Sequence, residues 1–138
     1  MNLKELFLAN IPVTIAVVGL AIYFFSMAVM FIAKPVKNAA TFAIKPDGPA
    51  GVTEIRVYYG GISFALGFFL SFLFLKGAGD YALVGGLVFS NVVFFTRFIF
   101  TFVDKGWKAA YTKLAIPAEA LFIVLLWLMF ILSKVLEA

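Results

Sequence analysis

Four long stretches with almost no charge constrain this chain more than any other feature. They run from about Ile11 to Ala33, Val52 to Leu75, Tyr81 to Val103 and Pro117 to Ser133. A hydrocarbon core about 30 Å thick is crossed by roughly 20 apolar helical residues, and in lipid a helix satisfies its own backbone polar groups. The pattern predicts an all-α fold: one four-helix transmembrane bundle occupying residues 1–138. Short connectors make sequential helices antiparallel neighbours, giving up-down topology. Composition agrees, with 64% apolar and 13% charged residues, against about 25% charged in soluble domains.

The connectors differ in character. Lys76 to Asp80 is a tight glycine-containing turn, with Asp80 placed to cap the third helix. Ala33 to Gly51 and Trp107 to Ile116 are longer and partly apolar, which predicts short interfacial segments. In the latter, Trp107 and Tyr111 have the i,i+4 spacing of interfacial anchors. The first apolar stretch is too long for a signal-peptide core and ends in no small-residue cleavage site. No internal repeat or low-complexity segment is evident.

Lysine and arginine counts orient the bundle, because cytoplasmic loops carry the excess. One side holds Lys4, Lys76 and Lys134, and the other Lys34, Lys37, Lys45, Arg56, Arg97, Lys105, Lys108 and Lys113. The basic side is expected in the cytoplasm and both termini outside it. Topology accounts for the net charge of +4 without nucleic acid, since the lysines are scattered among connectors rather than interleaved with aromatics on one face.

The chain has no histidine and no cysteine. Disulfides, thiolate nucleophiles, imidazole bases, Cys/His zinc sites and His- or Cys-ligated haem are thereby excluded. Asp47, Asp80 and Asp104 fall in connectors, so no intramembrane aspartyl dyad is expected. No catalytic constellation, metal site or cofactor is predicted.

Ionisable groups at bilayer depth are costly and need a reason. Glu54, Arg56, Arg97 and Glu119 are the candidates; their formal charges cancel, and antiparallel helices bring all four toward the cytoplasmic side. Arg56 shares a helical face with Gly60, Ser63, Gly67 and Ser71, a small-residue stripe suited to close helix packing. Glu54 aligns instead with Tyr58, Gly61 and Ala65. Arg97 falls on a face with Gly86, Ser90, Val93 and Thr101, while Asn91 lies near mid-span elsewhere. Structural readings compete. Pro117 and Glu119 have the look of a helix start with Pro at N1 and an acid in the first turn, while Glu54 and Arg56 could snorkel to headgroups.

The segment Gly51-Val52-Thr53-Glu54-Ile55-Arg56-Val57-Tyr58-Tyr59-Gly60-Gly61 resembles a bacterial family of small four-helix integral membrane proteins classed as a domain of unknown function, in which G-x-x-E-x-R-x-x-Y-G-G opens the second helix. Every fixed position of that motif is present. The resemblance extends over nearly the whole chain, including an arginine late in helix three and an acid early in helix four, here Arg97 and Glu119. It implies a bacterial cytoplasmic membrane location and centres interest on Glu54, Arg56, Tyr59, Gly60 and Gly61; it implies no substrate.

Two functions follow as expectations. One is a binding or transport module whose charged cluster, with Tyr58 or Tyr59, forms a polar pocket for a small amphipathic or lipid-like ligand. The other is a structural role, as an accessory subunit of a membrane assembly or a homo-oligomer. An enzyme acting alone is the least favoured reading.

Overall fold

A computed structural model describes residues 2–137. Among these all regular structure is helical and there is no strand. The elements are α1 (Leu3–Ala9), α2 (Ile11–Ala33), α3 (Pro35–Thr41), α4 (Gly48–Ile55), a π-helical turn (Arg56–Gly61), α5 (Ile62–Leu75), α6 (Gly79–Val103), a 3-10 turn (Gly106–Lys108) and α7 (Ala110–Glu137). α4, the π turn and α5 run on as one rod. Four helices are long and apolar enough to cross a membrane: Ile11–Ala33, Gly48–Leu75, Gly79–Val103 and Ala110–Leu136.

The three later rods begin before the apolar stretches do. Pro49 stands in the first turn of α4, where its missing N–H costs nothing. Asp80 is not the cap of α6. Ala78 holds that position and Asp80 lies in the first turn, so the expected cap is corrected. There its carboxylate still suits the helix dipole, and Lys134 Nζ approaches Oδ2 at 3.4 Å. Pro117 is likewise not at N1 but inside α7. The residues from Ala110 to Ile116 are compatible with helix, which continues through the proline although its ring removes one interior hydrogen bond and crowds the Lys113 carbonyl. Glu119 therefore sits in the third turn of α7, not its first.

The chain reversals have identifiable chemistry. After α5, Gly77 adopts φ 78°, while Gly77 N donates to Phe74 O and Ala78 N to Leu73 O, each at 2.9 Å. This is a Schellman stop, which favours glycine at the left-handed residue. Pro35 ends α2 and opens α3. At the N-terminus Asn2 and Glu5 form a capping box for α1, and the Asn10 side chain caps α2 by accepting from Val13 N at 3.2 Å.

α2 is the central helix. Its buried residues Val13, Ala16, Val17, Leu20, Phe24, Ala28 and Phe31 recur at three- and four-residue spacing along one face. The main core joins that face to Leu70 and Phe74 of α5, Ala82, Leu83 and Leu87 of α6, and Leu126 of α7. A smaller core unites Phe31, Ala39 and Ile55. Outside these cores large apolar side chains point away from the protein, among them Ile22, Val29, Phe68, Val88 and Leu121. An aqueous protein does not present such continuous apolar surface; the arrangement is compatible with a multi-pass membrane protein.

Glycines set the closest approaches. A methyl group on Gly60 would lie 2.7 Å from Ile32 Cγ1 and 3.3 Å from Ile32 N, one on Gly67 would press on Phe24 and Phe25, and one on Gly86 would collide with the Leu20 side chain. All three glycines therefore seat the neighbouring helices against α2. Gly61 has no such neighbour and is exposed. Ser63 and Ser71 donate to the carbonyls of Tyr59 and Gly67 on their own rod, a common way to satisfy a hydroxyl in an apolar helix.

Candidate functional site

Of the four charged candidates, the structure joins two directly. Arg97 Nε donates to both carboxylate oxygens of Glu119, at 2.8 Å and 2.9 Å. The pair bridges α6 and α7, with side chains 31% and 27% exposed, so it is neither fully buried nor fully hydrated. The guanidinium carbon also lies over the Tyr111 ring, 5.3 Å from its centroid. Planar, delocalised arginine suits both contacts at once. Tyr111 thus supports Arg97 and does not share a helix with Trp107. The 3-10 turn carrying Trp107 ends before α7 begins, which breaks the helical i,i+4 relation; Trp107 instead sits beneath Lys108 Nζ at 5.0 Å.

Glu54 and Arg56 stand apart from this pair. Glu54 is exposed, and no hydrogen bond or ion pair to its side chain occurs among the described residues. Arg56 Nε donates to the carbonyl of Ile32 at 3.2 Å. That carbonyl is in the last turn of α2, where helices leave acceptors unsatisfied and positive charge is favoured. Arg56 therefore caps another helix. The expectation of a single four-charge cluster is corrected to one ion pair and one cross-helix cap.

The face assignments change for a related reason. Residues Arg56–Gly61 form a π turn, and i→i+5 bonding breaks the 100° progression assumed along the rod. Gly60 and Gly67 remain buried against α2 while Arg56, Tyr58 and Gly61 are exposed. The motif residue Tyr59 reaches the ion pair by another route, a train of rings. Tyr59 stacks on Phe31 (5.0 Å), Phe31 on Phe42 (5.5 Å), and Phe42 meets Tyr111 edge-on at 4.7 Å.

A cavity of about 360 Å³ opens beside the pair, between α2, α6 and α7. From α7 it takes Tyr111, Ala115, Ala118, Glu119, Phe122 and Ile123; from α6 Phe89, Ser90 and Val93; from α2 Tyr23 and Phe24. Its wall is mostly aromatic and aliphatic. Its polar groups are one carboxylate, two phenols and the hydroxyl of buried Ser90. Glu119 lines this cavity and Arg97 does not; Arg97 faces a separate open groove along α6, lined with Thr96, Thr101 and Asp104 among others. The ion pair is a partition between two depressions.

Such a cavity can hold an amphipathic molecule, its body against Phe24, Phe89 and Phe122 and its hydrogen-bond-donating head at Glu119. Apolar walls with a few convergent polar groups are the usual composition of small-molecule sites. Among the described residues no group of acidic side chains is arranged to hold a metal ion.

Tyr23 and Tyr111 were not among the sequence candidates. A phenol amid the apolar residues of α2 was itself a signal, since buried tyrosines seek partners. On α7, residues 111, 115, 118, 119 and 122 share one face, which becomes readable only when the helix starts at Ala110. Compared with protein-family models, curated proteins and solved structures, the chain matches none. The functional reading therefore rests on the chemistry of the cavity.

Proposed function

We propose that this is a multi-pass protein of a bacterial cytoplasmic membrane that binds, or carries across, a small amphipathic ligand held between α2, α6 and α7. The observation that carries the reading is the mostly apolar cavity of about 360 Å³ with the carboxylate of Glu119 in its wall. Arg97 holds that carboxylate in position, where its oxygens can accept hydrogen bonds from the ligand's hydroxyl or amine. In a carrier, Glu119 is the group that exchanges a proton. The bacterial location follows from the G-x-x-E-x-R-x-x-Y-G-G resemblance.

The bundle is antiparallel in this reading. Two contacts support that for α6 and α7: Asp80 near the start of α6 approaches Lys134 near the end of α7, while Arg97 late in α6 meets Glu119 early in α7. α3 and the 3-10 turn lie at the interface, supported by their shortness and by Trp107 beside Lys108. The lysine-rich side faces the cytoplasm and both termini lie outside it.

Native mass spectrometry of protein released from mild detergent tests the proposal. The natural sequence should carry a one-to-one adduct that Ala118→Phe, which fills the cavity from α7, removes. Identical adducts in both proteins would overturn it, and a stable larger complex with no adduct would favour the accessory-subunit or homo-oligomer reading instead.

A further inference from the structure

We propose that the open groove on the Arg97 side of the partition seats the headgroup of a phospholipid carrying both a phosphate and a primary ammonium, as phosphatidylethanolamine does. The groove encloses about 530 Å³ and is lined in part by Val92, Thr96, Arg97, Phe100, Thr101 and Asp104. Arg97 and Asp104 are seven residues apart on α6 and its C-cap, two helical turns, and so lie along one face about 10 Å apart in rise.

Charge complementarity identifies the occupant. Glu119 engages only Nε of Arg97, and among the described residues no hydrogen bond uses the two terminal amino groups. Those groups are planar, paired donors of the kind that grip phosphate. At the other end of the groove Asp104 forms no ion pair with any described residue. A free phosphate, or a lipid bearing phosphate alone, satisfies Arg97 and is repelled by Asp104. A headgroup with both charges satisfies both. The hydroxyls of Thr96 and Thr101 add hydrogen-bonding capacity, and Val92, on the deeper side of Arg97, gives the first acyl carbons an apolar wall. Asp104 at the helix end places the ammonium nearer to water and the phosphate deeper.

The inference rests on the four helices crossing a bilayer, but not on what fills the cavity behind Glu119. Its test is lipid retention by native mass spectrometry after exchange into equimolar phosphatidylethanolamine and phosphatidylglycerol of matched chains. The natural sequence should retain the ethanolamine lipid about two- to fivefold better, the span of a partly exposed ion pair. Asp104→Asn, a near-isosteric change at an exposed helix C-cap, should abolish the preference, and Ala118→Phe should leave it intact. Equal retention by the natural sequence, or an undiminished preference in Asp104→Asn, would overturn the inference. Equal retention alongside an adduct lost in Ala118→Phe would leave the cavity proposal standing; the opposite pair of results would remove the cavity proposal alone.

Discussion

Arg97 and Glu119, 22 residues apart in sequence, meet through a single nitrogen that donates to both oxygens of the carboxylate. One contact therefore ties α6 to α7, with Arg97 lining the outer groove and Glu119 the inner cavity. The pair is about one-third exposed, so its energetics fall between a surface ion pair, worth up to about 1 kcal/mol, and the roughly 3–5 kcal/mol lost when a buried pair is broken.

A double-mutant cycle reads that position. Arg97→Ala and Glu119→Ala should each destabilise the protein by about 1–3 kcal/mol, because each strands its partner's charge. The double variant should cost less than the two singles together. Reversible unfolding in mixed detergent micelles measures all three; strict additivity would mean that the pair has no energetic coupling.

Arg56 has a different assignment and a different expected phenotype. Its bond to the Ile32 carbonyl is a charge-assisted cap, so Arg56→Ala should cost about 1–2 kcal/mol and leave any cavity adduct in place. Loss of the adduct at unchanged stability would show that Arg56 belongs to the binding site instead.

The adjacent glycines of the motif should respond unequally. Gly60→Ala drives a methyl group to 2.7 Å from Ile32 Cγ1 and should cost about 1–3 kcal/mol by overpacking. Gly61→Ala meets only the Arg56 carbonyl, at 3.8 Å, and should be neutral or slightly stabilising, since alanine favours a helix interior. Melting temperatures of the two variants supply the comparison.

Orientation is open to a clean test because the chain has no cysteine. Single cysteines in place of Lys4 and of Lys108 should label from opposite sides of the membrane, Lys4→Cys from outside and Lys108→Cys only after the cytoplasmic face is opened. Labelling of both from one side would contradict the antiparallel arrangement.

The four long helices were legible because uncharged stretches of this length have few solutions in water or lipid. Their starts were less so: proline at residue 49 or 117 does not say by itself whether it opens a helix or interrupts one, and Ala110–Ile116 is neutral enough to be connector or helix. That one boundary hid Tyr111 from the face it shares with Glu119. Arg97 and Glu119 could be singled out by the cost of charge in an apolar setting, but their exclusive pairing could not. It depends on the π turn at Arg56–Gly61, a tertiary accommodation that alters the phase of the motif's side chains, and on the end of α2, whose acceptor at Ile32 engages Arg56. The aromatic train from Tyr59 to Tyr111 depends on Phe42, in a connector with no periodic signal.

A density map of the protein in a lipid nanodisc would show the ion pair and the occupancy of the cavity together. The expected result is Arg97 joined to Glu119, with a molecule filling the space between Tyr23, Phe89 and Phe122 and its polar end within hydrogen-bonding reach of the Glu119 carboxylate. A collapsed space with Phe89 packed on Phe122, or Glu119 turned away from Arg97 into the headgroups, would contradict it.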